Sequence, residues 1–199
     1  MSLYTTPPET ITVSGIEYSI DTDFRIWIEF QKILLDDLQE LEKTEKVLQI
    51  IDKIGLPQNK EALEAAVQFY GGASTETSTG GGKNVQAFDF TQDSEYIFSA
   101  FYQFYRIDLA AEKMHWWRFK ALFKSLPDDC EMCKIMGYRT IDLKKVPKEQ
   151  KQFYREMKQR YALSGNIKTG YRTEQEMKDY VAKRFEEAKK RMSELRRDE

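Results

Sequence analysis

The 199-residue sequence is poor in the residues that build covalent or metal-based frameworks, with two cysteines and a single histidine. Two cysteines cannot form a disulfide framework. Together with one histidine they cannot complete a four-ligand zinc site unless carboxylates contribute. Long hydrophobic runs are also missing, because no stretch of eighteen apolar residues occurs, and we expect no transmembrane helix. The first residues lack the basic and apolar regions of a signal peptide, so we expect a soluble protein of the cell interior.

The chain does contain enough apolar material for one sizeable core. Its residues are 41% hydrophobic and 13% aromatic, so bulky side chains must fill the interior. The net charge of −2 conceals a strong asymmetry along the chain. Residues 1–100 carry 7 basic and 17 acidic residues, whereas residues 144–170 carry 8 basic and 2 acidic ones. This asymmetry favours head-to-tail contacts between copies of the chain, or a charged partner.

The apolar periodicities predict a mainly α fold: a bundle-like helical domain with a small N-terminal β-hairpin and a long C-terminal helix. The hairpin is predicted in "ETITVSGIEYSI", where apolar residues alternate around Ser14-Gly15. The next helix, "DTDFRIWIEFQKILLDDLQEL", is capped by Asp21 or Thr22 and is apolar on two sides, which is typical of a central helix or of a subunit contact. A shorter helix is predicted in "EKVLQIIDKIGLP", where Gly55 and Pro57 stop it.

Further helices are predicted after Asn59, across the aromatic stretch "FDFTQDSEYIFSAFYQFYRIDL", from Asp108 through "MHWWRFKALF", from Asp129 to Met136, and from Pro147 onward. In the aromatic helix one face holds Ile97, Phe101 and Phe104, and the next holds Phe98, Tyr102 and Tyr105.

Composition divides the chain into four parts. Residues 1–70 hold the hairpin and the first helices, and residues 85–163 form an aromatic-rich helical part that we assign to the same domain. Between them, residues 71–84 are rich in glycine, serine and threonine, which predicts a flexible loop. Residues 171–197 are predicted to form an amphipathic C-terminal helix.

The sequence "MHWWRFKALFKSLPDDCEMC" brings together the only histidine, both cysteines and two tryptophans. It could be a metal site, a nucleic-acid stacking platform or core. The pair Cys130 and Cys133 is half of a zinc knuckle without its other half, and His115 shares a predicted helix face with Phe119 and Leu126. We therefore interpret this stretch as packing and docking material, with no catalytic residue, no metal and no cofactor.

Two further features concern partners. Trp116 and Trp117 are followed by basic residues, but neighbours on a helix point about 100° apart and cannot form one flat stacking platform. The basic stretch 144–170 lacks a nucleic-acid recognition motif in an acidic chain, so we do not expect nucleic-acid binding.

The C-terminal helix carries a narrow apolar seam that needs a partner surface. The residues predicted to contact partners are Trp27, Phe30, Trp116, Trp117, Phe185 and Met192.

An ordered set of segments resembles a known family. These segments are "GIEYSIDTDFRIWIEFQKILL", "EALEAAVQFYGG", "FDFTQDSEYIFSAFYQFYRIDL", "MHWWRFKALFKSL" and "IMGYRTIDL". Together they resemble the bacteriophage Gp-fifteen family of tailed phages and prophages of Gram-positive bacteria, from about residue 12 to about residue 163. The glycine-rich segment and the C-terminal helix lie outside the distinctive parts. The resemblance supplies no functional residues.

Genes of this family typically lie between those of the major tail protein and the tape-measure protein. The resemblance therefore implies a non-enzymatic tail assembly chaperone that binds apolar helices of the tape-measure protein and passes them to the tail tube protein. Such a factor would self-associate, act in the cytoplasm of the bacterial host and be absent from the mature virion. The alternatives are a nucleic-acid-binding phage regulator that uses residues 144–170 and a minor structural tail protein.

Overall fold

The computed structural model describes residues 6–35, 40–72 and 85–164. These residues form one β-hairpin and seven α-helices, which confirms the predicted mainly α fold with an N-terminal hairpin. The predicted C-terminal helix, residues 171–197, and nearly all of the predicted loop 71–84 lie outside the described residues. The elements are β1 Thr10–Val13, β2 Ile16–Ser19, α1 Phe24–Leu35, α2 Glu40–Ile54, α3 Lys60–Gly71, α4 Ser94–Tyr105, α5 Trp116–Lys124, α6 Glu131–Thr140 and α7 Lys151–Arg160.

The described residues group into two compact units. Unit 1 contains residues 6–35, 40–72 and 114–119, and unit 2 contains residues 85–113 and 120–164. Helix α5 therefore begins in unit 1 and ends in unit 2. The sequence placed all of residues 85–163 in one part, whereas residues 114–119 group with the hairpin and helices α1 to α3.

The hairpin of unit 1 pairs β1 and β2 in antiparallel register, with Val13 opposite Ile16 at the turn. The two turn residues, Ser14 and Gly15, both have positive φ angles, of 50° and 83°. A two-residue turn of this kind matches the right-handed twist of the strands, and glycine adopts positive φ without steric cost. The turn chemistry that the sequence predicted is therefore present.

Helix α1 is the central helix of unit 1. Phe24, Trp27 and Leu34 are buried on one side, and Ile26 and Phe30 are buried beside them, so the prediction of two apolar sides is confirmed. The predicted caps, Asp21 and Thr22, are wrong by one or two residues. The carboxylate of Asp23 accepts the backbone N–H of Arg25, while Asp21 accepts the N–H of Asp23. The acceptor closest to the first helical turn therefore serves as the cap.

The helix predicted through Leu41 ends at Leu35, and α2 begins at Glu40. The aromatic helix predicted over residues 88–109 is also shorter, Ser94–Tyr105.

Helix α2 ends, and α3 begins, as their sequences predict. Helix α2 stops at Ile54, and Gly55 follows with a φ of 102°. A Cβ atom at Gly55 would lie 2.8 Å from the backbone oxygen of Ser19, so the close approach of β2 also requires glycine here. Asn59 caps α3 by accepting the N–H of Ala62, as predicted.

Unit 2 is built around α6, which packs against both α4 and α7. Ile97, Phe101, Met132 and Ile135 are buried in its core. Helix α7 contributes no buried residue. Tyr138 of α6 instead stacks on Tyr161, which follows α7, with ring centroids 5.9 Å apart.

Two predicted helix starts are wrong. The helix expected to run from Asp108 begins only at Trp116. The carboxylate of Asp108 accepts the N–H groups of Ala110 and Ala111 and forms a local turn instead. Likewise α7 begins at Lys151 rather than directly after Pro147, because residues 147–150 form a separate turn. The short helix predicted from Asp129 is α6, which continues four residues beyond the predicted end, to Thr140.

Candidate functional site

His115 lies just before α5 and not on a helix face, which corrects the predicted packing stripe. Its Nδ1 atom accepts the backbone N–H of Trp117 at 3.0 Å, so the imidazole caps the helix. Its Nε2 atom lies 3.0 Å from the backbone oxygen of Pro8 and donates to it in the tautomer that leaves Nδ1 as acceptor. Both ring nitrogens are therefore engaged in holding backbone segments of unit 1 together.

The two tryptophans that follow close the end of α3. The indole N–H of Trp116 donates to the carbonyl of Tyr70 at 2.9 Å, and that of Trp117 donates to the carbonyl of Phe69 at 2.8 Å. Carbonyls in the last turn of a helix have no partner within the helix. The indole rings also stack on the side chains of the same two residues, with centroids 5.1 Å and 5.3 Å apart. Trp116 and Trp117 therefore cap the C-terminal end of α3 and pack against its last residues.

The six predicted partner-contacting residues are placed as follows. Trp27, Phe30 and Trp116 are core residues of unit 1, each at most 1% exposed, so a partner could reach them only if that core opened. Trp117 is half-buried, with its indole directed at α3. Phe185 and Met192 lie outside the described residues. Of the six, Trp117 is the one that the structure describes as partly exposed.

The two cysteines have structural roles at the start of α6. The sulfur of buried Cys130 accepts the backbone N–H of Cys133 and caps the helix. Burial, followed by the hydrogen bond with Cys130, raises the pKa of Cys133 to about 12. Thiol chemistry requires the thiolate, which this environment disfavours. Among the described residues, no group of three or more histidines, cysteines or carboxylates is placed to hold a metal ion.

Unit 2 contains a buried ion pair that the sequence reasoning missed. The guanidinium of Arg139 donates to both carboxylate oxygens of Asp93, at 2.6 Å and 2.8 Å. It also donates to the carbonyls of Tyr161 and Ala87, so one side chain joins three segments. Asp93 stands directly before α4, where aspartate normally indicates a helix cap. The local sequence pattern therefore gave no indication that Asp93 pairs with Arg139, 46 residues later.

Among the described residues, helix α4 carries four of the exposed aromatic side chains. We call its stacked pair, Phe98 and Tyr102, the α4 aromatic face. Phe98 and Tyr102 are 38% and 52% exposed, and their rings stack in parallel with centroids 6.2 Å apart. Tyr96 and Phe104 are exposed on the same helix. The sequence predicted a second face containing Phe98 and Tyr102. It also placed Phe104 on one face with Ile97 and Phe101, and Phe104 is the exposed member of these three, at 37%.

A family model identified as the bacteriophage Gp15 protein matches residues 6–163, which is most of the chain. The chain belongs to the bacteriophage Gp15 protein family. It is thus a phage structural or morphogenesis protein, and the match spans the α4 aromatic face and the Arg139 ion pair. No curated protein and no solved structure matches the chain. None of the helices in the described ranges is long and apolar enough to cross a membrane.

Proposed function

We propose that this Gp15-family protein is a non-enzymatic tail assembly chaperone whose α4 aromatic face binds apolar helices of the phage tape-measure protein. The observation that carries the proposal is the stacked, exposed pair Phe98 and Tyr102 on one rigid helix of unit 2. Exposed aromatic side chains are enriched at protein–protein contacts, and an i, i+4 pair forms a ridge that an amphipathic helix can pack against.

The polar groups that could have supported chemistry favour a binding role instead. His115 uses both ring nitrogens for backbone contacts, and the raised pKa of Cys133 disfavours its nucleophilic form. A chaperone of a long helical substrate needs accessible apolar surface and repeated copies. The protein would keep the tape-measure helices soluble in the host cytoplasm, release them to the tail tube protein and be absent from the mature virion.

The test is co-expression with the neighbouring tape-measure gene, followed by purification of the complex. The double variant Phe98→Ser/Tyr102→Ser should retain its helical signal, because both side chains are exposed, yet recover several-fold less soluble tape-measure protein. The matched control is Ile16→Ser, which removes an exposed apolar side chain from the hairpin of unit 1. A folded double variant that recovers as much tape-measure protein as the wild type would contradict the proposal.

Mass spectrometry of purified virions tests the stated location. A chaperone that is released during assembly should be far below the stoichiometry of the tail tube protein. Stoichiometric amounts in intact virions would instead favour a minor structural tail protein.

A further inference from the structure

Helix α7 and the residues just before it form a basic surface in unit 2. Residues 143–160 carry 7 basic and 2 acidic residues, and none of the ten residues of α7 is buried. Near the middle of this surface, Phe153 is 49% exposed. Its ring meets Tyr138 and Tyr154 edge-on, with centroids 6.1 Å and 5.3 Å away, so the exposed aromatic is held in a defined position.

This arrangement has the composition of an interface. An aromatic anchor surrounded by charged, solvent-exposed residues is typical of the centre and rim of protein–protein contacts. Six of the ten residues of α7 are exposed, so this side of the helix is available to a partner. The partner must be acidic, because the surface is strongly basic.

The same chain supplies such an acidic surface. Residues 1–72, which include most of unit 1, carry 13 acidic and 6 basic residues. Exposed carboxylates occur on several of its elements, including Glu17 on β2, Asp52 on α2 and Glu61 on α3. Nucleic-acid binding is less favourable, because phosphates are repelled by a chain with a net charge of −2 whose residues 1–100 carry 17 acidic and 7 basic residues.

We propose that the basic surface of residues 143–160 binds the acidic unit 1 of a second copy of the chain, so that copies associate head to tail. Because the two faces differ, a pair of copies still has one basic and one acidic face available, one on each copy. Such a heterologous contact closes into a ring or continues as a filament, depending on the rotation between copies. The proposal does not depend on binding to the tape-measure protein.

The first test compares molar mass at low and high salt by sedimentation velocity. At roughly 50 mM salt the wild type should have an average mass at least about twofold above the 23.5 kDa monomer, and the mass should approach the monomer value at roughly 500 mM salt. The variant Lys151→Glu/Arg155→Glu should remain monomeric at both salt concentrations. A glutamate in the first turn of α7 suits the helix dipole, so the helix should persist.

A control variant and a second variant separate the effect of net charge from the effect of the surface formed by residues 143–160. Lys113→Glu/Lys134→Glu makes the same change in net charge at two exposed positions outside residues 143–160, and it should associate like the wild type. Phe153→Ala should lower the average mass at low salt while leaving the charges intact. If the control variant dissociates as fully as Lys151→Glu/Arg155→Glu, net charge governs association and the proposed surface is wrong.

Mixing distinguishes head-to-tail association from a symmetric contact. The Lys151→Glu/Arg155→Glu variant keeps its acidic face, so small amounts added to the wild type should terminate chains and lower the average mass. If the added variant leaves the average mass of the wild type unchanged, its acidic unit 1 does not bind the basic surface, and the head-to-tail contact is wrong. A monomeric wild type at low salt would overturn the proposal, as would retention of a short fluorescent DNA duplex by that monomer.

Discussion

Arg139 joins three segments of unit 2 through one guanidinium, and its partner Asp93 is itself buried. Such a pair is costly to break on one side, because the remaining charge stays buried without compensation. It does not follow that the pair makes a large net contribution to stability, since well-packed apolar residues of similar volume can replace a buried ion pair at little cost.

We therefore expect Arg139→Met alone to lower the free energy of unfolding by about 3–5 kcal/mol. The double variant Asp93→Leu/Arg139→Met should be more stable than Arg139→Met, because the uncompensated carboxylate is gone. Urea unfolding followed by far-UV circular dichroism measures both. If the effects of Asp93→Leu and Arg139→Met simply add, the two side chains are not coupled and the contact has little importance.

His115 offers a second test at a single residue. His115→Ala removes the cap on Trp117 and the contact with Pro8, and should cost about 1–2 kcal/mol of unfolding free energy. His115→Asn retains a short side-chain acceptor for the same N–H, so it should recover part of that loss. Equal destabilisation by both substitutions in urea unfolding would mean that the cap itself contributes little.

The thiol of Cys133 should be unreactive in the folded protein. With a pKa of about 12, compared with the ordinary value of 9.0, it is almost entirely protonated near pH 8. The folded state therefore binds the proton more tightly than the unfolded state. The stability from this group is fully present below pH 9 and is lost as the pH rises toward about 12.

Reaction with a disulfide reagent at pH 8, measured in the Cys130→Ala variant, should therefore be much slower for the folded chain than for the chain unfolded in urea. Equal rates in the two states would show that the thiolate is accessible and that burial does not suppress it.

At the scale of elements, the end of α3 depends on a segment more than forty residues later in the sequence. The indoles of Trp116 and Trp117 bond the carbonyls of Tyr70 and Phe69. Each tryptophan-to-phenylalanine change removes one N–H donor and keeps an aromatic ring. Trp116→Phe should cost about 1–3 kcal/mol because it removes a hydrogen bond at a buried position, and Trp117→Phe should cost about 1 kcal/mol because Trp117 is half-buried. Urea unfolding should rank the variants in that order, and the reverse order would contradict this account.

Local sequence signals predicted the elements well where the decisive contacts are local. The Ser14-Gly15 turn, the Asn59 cap and the stop at Gly55 depend on residues within a few positions, and all three are present. The helix start expected at Asp108 failed because residues 114–116 pair with residues 22–24: the N–H of Trp116 donates to Thr22, and the N–H of Phe24 donates to Met114. Hydrogen bonds between such distant backbone segments produce no periodicity in the sequence, so the sequence could not predict them.

The candidate partner surfaces also divide into one that local sequence signals predict and others that depend on tertiary contacts. Periodicity separated Phe98 and Tyr102 from the buried side of α4, so the α4 aromatic face was predictable. Trp27, Phe30 and Trp116 are large aromatic residues, which suit a core as well as an interface. Only tertiary contacts decide between these two uses. The ion pair of Asp93 and Arg139 could not have been predicted, because each residue also fits a solvent-exposed helix position.

At the scale of the whole molecule, the tryptophans provide a selective probe. All three, Trp27, Trp116 and Trp117, belong to unit 1, whereas helices of both units contribute to circular dichroism. Because α5 is one continuous helix shared by the two units, we expect their unfolding to be coupled. Arg139→Met, a change in unit 2, should then shift the midpoints measured by tryptophan fluorescence and by circular dichroism together. A shift in circular dichroism alone would show that the units unfold independently.

The residues just after α7 set a limit on how far the chain can be shortened. The carbonyl of Tyr161 accepts from Arg139, and the side chain of Gln92 bonds both the carbonyl of Ala162 and the N–H of Ser164. A fragment ending at Arg160, where the helix ends, would lose all three bonds and remove an acceptor from a buried cation. A fragment ending at Ser164 keeps them. For recombinant expression and crystallisation, a fragment that keeps these side-chain contacts must therefore extend at least four residues beyond α7.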